Sequence, residues 1–367
     1  MATTKAVTDN NSEVMKHGKR VIWLRASSLK ELFDCSYRWE ASNTNSGIPA
    51  IPTSIKGHTG TAVHKATEIY DKNYLGQYAP SIPNSELLSR AEATFKMAFD
   101  NPKFAIKEAT AKEIGDMRTI GLKLVRRYIN EIAPTVSYSN IELKCKPMEI
   151  DVGGVILSLT GTIDRLYIPD TNPMSRGVLD LKTGVQAVNA QNEVEVVAHK
   201  AQLGMYEIMG EQSINKKSNI VIPVNAPAKI VGMQTNGKAR VAVGETMSSR
   251  DILIGTEHET GILHNAGRIL EHKMFFGNPS SMMCNPDYCR RYKTCRYRGA
   301  DALEIAEEAE YMTTLAENKR NALLPPKVVV DTYKNLDLSA LVVNGEPVNV
   351  KVNAETKIDL TSLLVHA

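Results

Sequence analysis

The sequence predicts a protein of the α/β (α+β) class, with helices first, a meander of strands next, and a later helix leading to further strands. Three observations carry this reading. Apolar residues recur at helical spacing through much of residues 25–132. Short runs of β-branched and apolar residues, divided by turn signals, then fill 137–184. Beyond them a helical stretch around 193–210 separates the meander from two more strand-like runs.

Taken in order, residues 1–20 lack an apolar signal-peptide core and are expected to form a disordered arm of a cytosolic protein. The main domain is expected over 21–300. "RASSLKELFDCSYRWEAS" (25–42) predicts a helix capped by Ser27 or Ser28, with Leu29, Leu32 and Phe33 on its apolar face. "IPAIPTSIKGHTG" predicts a loop, and "TAVHKATEIYDKNY" a helix built on Val63, Ala66, Thr67 and Tyr70. Helices are expected over 85–99 and 108–132. "SYSNIELKCKPMEI", "VILSLTGTIDRLYI" and "GVLDLKTG" predict a three-stranded meander. "SNIVIPV" and "KIVGMQTNGKARVAV" add strands, the second with an Asn-Gly hairpin signal. A helix over 254–274 is expected to run into a cysteine-rich segment. An acidic helix over 301–326 then reads as a solvated face, and 327–367 as a small β appendage. No run approaches the roughly 18 apolar residues of a membrane span. A net charge of +3 is too small to argue for a polyanionic partner by itself.

The chemistry centres on "GVLDLKTG". Side chains alternate along a strand, so Asp180 and Lys182 share one face while Leu179 and Leu181 enter the core. Alone, such a pair reads as an ion pair at a strand end. Asp164, in "GTIDR" on the preceding strand, brings a second carboxylate within reach. Two carboxylates suit an oxygen-liganded divalent cation, Mg²⁺ or Mn²⁺. A lysine beside them can position a water or stabilise charge on a phosphate. His64 and Glu68 lie four apart on a helix that follows Gly57 and Gly60. Gln202 and Tyr206, also four apart, contact DNA, brace the lysine, or pack internally.

These pieces fall in the order Gly60 to His64, Gly161 to Arg165, Asp180 to Lys182, and Gln202 to Tyr206. In that order the chain, over about residues 25–300, resembles the PD-(D/E)XK nucleases, specifically their RecB-like exonuclease branch. That branch includes nuclease domains of recombination helicases, CRISPR-adaptation nucleases and phage recombination exonucleases. The resemblance implies a restriction-endonuclease-like core, a mixed central sheet flanked by helices in the order αβββαβ. It implies that His64, Asp164 and Asp180 hold Mg²⁺ or Mn²⁺, with the Leu181 backbone carbonyl as a further ligand. Lys182 then assists the nucleophilic water, and Gln202 and Tyr206 support the site or touch nucleic acid. The implied activity is metal-dependent DNA exonuclease action at ends, on DNA that is single-stranded or being resected, for recombination, repair or processing. The implied setting is the cytoplasm, of a cell or of a phage host, with a recombination protein as a candidate partner. The rival readings are a non-catalytic DNA-binding recombination module retaining the fold, and an RNA-directed or regulatory nuclease.

The five cysteines are Cys35, Cys145, Cys284, Cys289 and Cys295, and the last three form C-x4-C-x5-C. Clustered thiolates are ready ligands for zinc or an iron–sulfur cluster, and three need a fourth from elsewhere. In the resembled branch an N-terminal helix cysteine completes a four-iron (4Fe-4S) cluster, which implies Cys35 as the fourth ligand. The first gap is longer than the usual C-x2-C, Tyr292 stands where another cysteine is expected, and Ser36 replaces a proline. Zinc, or no metal, therefore stays open. Cys145 reads as an inert core or edge residue. Arg290, Arg291, Lys293, Arg296 and Arg298, interleaved with Tyr288, Tyr292 and Tyr297, read as a solvated face or as phosphate contacts with base stacking. Beside a nuclease motif, the nucleic-acid reading of Arg290, Arg291, Tyr292, Lys293 and Arg296 is preferred.

Overall fold

The computed structural model describes residues 14–44, 48–75, 82–215, 221–246 and 250–299, and beyond them only Thr314 and two short strands. The chain divides into two units, 1–312 and 313–367. In the second unit Val342–Val343 pairs antiparallel with Glu346–Pro347. The rest of the expected β appendage, and the expected acidic helix apart from Thr314, lie outside the described residues.

The first unit opens with β1 (Met15–Lys16) and β2 (Lys19–Arg25), joined at His17 and Gly18, both with positive φ. Ordered strand thus begins inside the stretch expected as a disordered arm, and residues 1–13 lie outside the described residues. The single helix expected over 25–42 is two, α1 (Leu29–Asp34) and α2 (Ser36–Asn43). They break at Cys35, whose backbone is extended at φ −156° and ψ 91°. Helix α3 (Ile55–Tyr74) begins inside the predicted loop because Ser54 Oγ accepts the Gly57 N–H at 3.1 Å, a cap the glycine signals obscured. Helices α4 (Asn84–Asp100) and α5 (Ala111–Arg127) fall where their apolar spacing predicts, the second opened by a Thr110–Glu113 capping box.

The strands are β3 (Ser137–Lys144), β4 (Met148–Asp151), β5 (Val155–Thr160), β6 (Thr162–Ile168) and β7 (Gly177–Gly184). Helix α6 (Lys200–Asn215), strands β8 (Ala228–Gln234) and β9 (Val241–Thr246), and helices α7 (Arg250–Ile254) and α8 (Ile262–Glu271) follow. Two of the predicted strands are each split in two, the second at Gly161, and their halves enter different sheets. One sheet has the order β1-β2-β5-β4 and the other β3-β6-β7-β8-β9. The predicted meander therefore exists as β3, β6 and β7, paired antiparallel. Strand β8 joins β7 in parallel after the α6 crossover. Of the strand expected over 218–224, residues 218–220 lie outside the described residues and the rest carries an isolated bridge from Val224 to Arg176. Of the helix expected over 254–274 only α8 (Ile262–Glu271) forms, because the chain turns at Gly255, φ +92°, directly after α7.

Two apolar clusters cover the five-stranded sheet. Val63, Ala66, Tyr70, Phe95 and Leu124 of α3, α4 and α5 pack with Leu179 and Leu181. Val178 packs in the other cluster with Leu203, Met205 and Met209 of α6. Both faces of β7 are thus covered, as its parallel pairing requires. The face carrying Asp180 is an interior one, and Asp180 is 3 % exposed. Among the described residues no helix is long and apolar enough to cross a membrane.

Helix α3 reaches β7 at Gly60, where an added Cβ would lie 2.2 Å from Thr183 Oγ1 and 3.1 Å from Thr183 Cβ. Gly60→Ala is expected to push the helix off the sheet and cost about 1–3 kcal/mol, read as a lowered thermal midpoint. An unchanged midpoint would show that Thr183 simply rotates away.

Candidate active site

Strand pairing brings Asp164 to Asp180. Arg165 on β6 opposes Leu179 on β7, and Asp164 Oδ2 accepts the Leu181 N–H at 2.8 Å. Lys182 Nζ lies 2.8 Å from Asp180 Oδ2 and donates to Gln202 Oε1 at 3.0 Å. The Gln202 amide in turn donates to Tyr206 Oη at 3.1 Å and Asp180 Oδ1 at 3.4 Å. Gln202 and Tyr206 share a face of α6 because they are one turn apart. Gly161 leaves room for the tyrosine: a Cβ there would sit 2.8 Å from Tyr206 Cε1. His64 comes from α3, with Nδ1 3.8 Å from Asp164 Oδ2. The five side chains His64, Asp164, Asp180, Lys182 and Gln202 therefore converge, with Tyr206 behind them.

The electrostatics follow from burial. Loss of water pushes the Asp180 carboxyl up to about 6 against the pull of Lys182, and the neighbouring Asp164 raises it further. Burial also raises Asp164, while the Leu181 N–H opposes the rise. It lowers His64 to about 4, which leaves the imidazole neutral at physiological pH. Asp180 Oδ2 is buried, and its partner is the Lys182 ammonium at 2.8 Å. Two carboxylates raised by burial, with the buried Asp180 Oδ2 held only by the Lys182 ammonium, form a hard oxygen-donor set that a divalent cation would suit. As the side chains stand, no group of three or more His, Cys, Asp or Glu among the described residues is gathered to hold a metal ion.

Two neighbours, Glu142 and His199, carry no sequence signal of their own. Glu142 on β3 falls between pairs that join Ile141 to Arg165 and Leu143 to Ile163, which sets it opposite Asp164. Its backbone is left-handed, at φ +52°, a costly conformation for a residue with a Cβ. Burial, then Asp164, pushes its carboxyl up to about 7. A raised folded-state value means the ionised form is the disfavoured one, so its burial costs stability as pH rises from the unfolded value through about 7. Glu142→Gln is therefore expected to gain stability relative to wild type between about pH 5 and about pH 8, measured by denaturant unfolding without metal. A pH-independent difference would contradict that. Glu68, which shares the His64 face, is instead held by Lys65 at 2.7 Å and Lys72 at 2.6 Å. His199 stands one turn before Gln202, its imidazole lowered to about 4 by burial and then by Lys182 and Lys30.

The cysteine segment folds back onto α2. Tyr37 N–H donates to Phe276 O at 3.0 Å, Phe276 N–H to Ser36 Oγ at 2.7 Å, and Asp34 takes hydrogen bonds from Arg38 and Ser281. Cys35, Cys284, Cys289 and Cys295 consequently line one pocket, with Tyr37, Arg38 and Ser281 beside them. Burial raises the Cys284 and Cys289 thiols, and the other thiols of the set raise them further. Cys145 lies apart, buried after β3, its thiol pushed up to about 11 by desolvation.

The basic residues divide in use. Arg290 donates to the Ala41 and Ile48 carbonyls, and Arg291 pairs with Glu40 and stacks on the Tyr37 ring at 4.3 Å. Both guanidiniums thus tie the segment to the N-terminal helices. Tyr292 lies under Arg298 at 3.6 Å, whereas Lys293 and Arg296 are exposed.

No curated protein sequence matches the chain. Among solved structures it is similar to that of SSO0001, at 14 % identity and TM-score 0.29, over 74 % of this chain and 95 % of that one. It is also similar to a candidate exonuclease from Eubacterium rectale, at 10 % identity and TM-score 0.24, over 61 % and 78 % respectively. Likeness at this level adds no weight to any assignment. The model of the PD-(D/E)XK nuclease superfamily matches residues 24–299, a span that holds every motif of the site, and the chain belongs to that superfamily.

Proposed function

We propose that this protein is a metal-dependent deoxyribonuclease of the RecB-like type, acting as an exonuclease on DNA ends in recombination or repair. The observation that supports it best is the meeting of Asp164, Asp180 and Lys182 on neighbouring strands, with Gln202 bonded to the lysine. His64, Asp164, Asp180 and the Leu181 carbonyl would hold Mg²⁺ or Mn²⁺. When bound, the cation supplies polarisation of the scissile phosphate and a more acidic water.

The chain's own residues supply the rest. Asp180 and Gln202 fix the Lys182 ammonium, which carries positive charge toward developing phosphate charge. Tyr206 holds the Gln202 amide in orientation. Neutral His64 keeps a lone pair free for ligation. Exposed Lys293 and Arg296 are proposed as backbone phosphate contacts.

The activity is tested by incubating the purified protein with end-labelled linear DNA, covalently closed DNA and RNA in Mg²⁺ or Mn²⁺. Loss of label from linear DNA alone supports an exonuclease. Cutting of closed circles makes it an endonuclease, preference for RNA redirects the substrate, and binding without cleavage points to a DNA-binding module.

For the cysteines we propose a four-thiolate group, a 4Fe-4S cluster ahead of zinc, on Cys35, Cys284, Cys289 and Cys295. Their lining of one pocket, three of them buried, supports this. Metal content and visible absorbance of anaerobically purified protein decide it: iron with sulfide supports the cluster, zinc replaces it, and neither removes both.

A further inference from the structure

The motif arginine Arg165 poses an electrostatic problem. It follows Asp164 directly, is 1 % exposed, and its guanidinium stays charged at any accessible pH. Its Nη1 donates to the Asp164 backbone carbonyl at 2.7 Å, and its charge holds down both the Asp164 carboxyl and the His64 imidazole, so it is felt at the site proposed to receive a divalent cation. The arginine would repel that cation unless something cancels it.

Asp71 stands where cancellation is needed. Its Oδ2 accepts from Arg165 Nε at 2.6 Å, and it too is 1 % exposed. Tyr128 Oη donates to the same oxygen at 2.7 Å and lies 2.8 Å from Tyr138 Oη, fixing the carboxylate from behind. Asp71 lies two turns after His64 on α3, with Thr67 between them reaching Arg165 Nη2 at 3.3 Å. One face of α3 therefore presents both the imidazole and the counter-charge. The other carboxylate near the guanidinium, Glu142, is 3.5 Å away and partly exposed, a weaker neutraliser.

We propose that Asp71 is a positioning residue that neutralises Arg165, so that the arginine can brace β6 without lowering the affinity of the site for a divalent cation. This rests on the proposed metal-dependent reading. With Asp71 ionised, the carboxylates of Asp164 and Asp180 outweigh Lys182 by one charge. Without it, Arg165 cancels that surplus.

The test is direct binding of Mn²⁺ to full-length wild type, Asp71→Asn and Asp71→Asn/Arg165→Met, by calorimetry or by the signal of free Mn²⁺, with circular dichroism to establish folding. Asp71→Asn is expected to weaken Mn²⁺ binding about tenfold or more, and the added Arg165→Met to restore it to within about threefold. A folded Asp71→Asn with wild-type affinity, or a double variant as weak as the single, overturns the proposal. Should Asp71→Asn not fold, Asp71→Leu/Arg165→Met replaces the whole pair by apolar groups, a change that folds are known to tolerate. It is expected to keep wild-type affinity within about threefold, and a tenfold loss overturns the proposal equally. Absence of Mn²⁺ binding in wild type overturns the metal reading itself along with this one, whereas normal wild-type binding with unaffected variants overturns this one alone.

Discussion

Asp180→Ala and Lys182→Ala are each expected to slow cleavage of end-labelled DNA by about 10²–10³-fold or more, with kcat falling rather than KM rising. The carboxylate and the ammonium hold one another at 2.8 Å, so removing either disturbs both. Asp180→Ala deletes a metal-directed oxygen and frees Lys182 from one of its two anchors. Lys182→Ala leaves a carboxyl at 3 % exposure with its ion-pair partner gone, so its ionised form becomes harder to maintain. Gln202→Ala is expected to fall between these variants and wild type, since it removes a bond to Lys182 and leaves the charges in place. Digestion series in Mg²⁺ check all three, and undiminished cleavage by Asp180→Ala and Lys182→Ala would place the active site elsewhere.

The second large effect is on stability. Arg165→Met is expected to cost about 3–5 kcal/mol, because breaking a buried pair leaves the partner's charge without compensation. The partner is Asp71, whose Oδ1 is already without a hydrogen bond and whose carboxyl burial drives upward. Arg165 also bonds Thr67 and the Asp164 carbonyl, so α3 and β6 lose a shared fastening. Unfolding in urea measures the cost. A loss below about 1 kcal/mol would mean that the strands and helix are held by their apolar packing alone.

Both effects depend on β7, and most of what it does was legible from its residues. The alternation of Leu179 and Leu181 with Asp180 and Lys182 assigned the two sets to opposite faces, as found. That the polar face is interior leaves no mark in the strand itself. Val178 enters an apolar cluster with α6 on that side, and this covering shifts the carboxyl of Asp180. Gly60 and Gly161 were recognisable as motif glycines, yet their reason is visible only as contacts, with Thr183 and with the Tyr206 ring. Element boundaries depart from the local pattern where signals conflict or are missing. Two prolines and two glycines in 48–60 mask the Ser54 cap of α3, and no glycine or proline marks the break at Cys35.

The sequence by itself determined the α/β class, the four motifs in order and the superfamily they belong to, because each motif is local and its period reports its own element. It also singled out four cysteines that the fold brings to one pocket. Only the tertiary structure decided that Glu142 lies opposite Asp164, that Arg165 is neutralised by Asp71 from α3, and that Arg290 and Arg291 are spent on α2. Those relations join residues 22 to more than 240 positions apart. They follow from strand register and helix docking, and neither leaves a periodic trace in the chain.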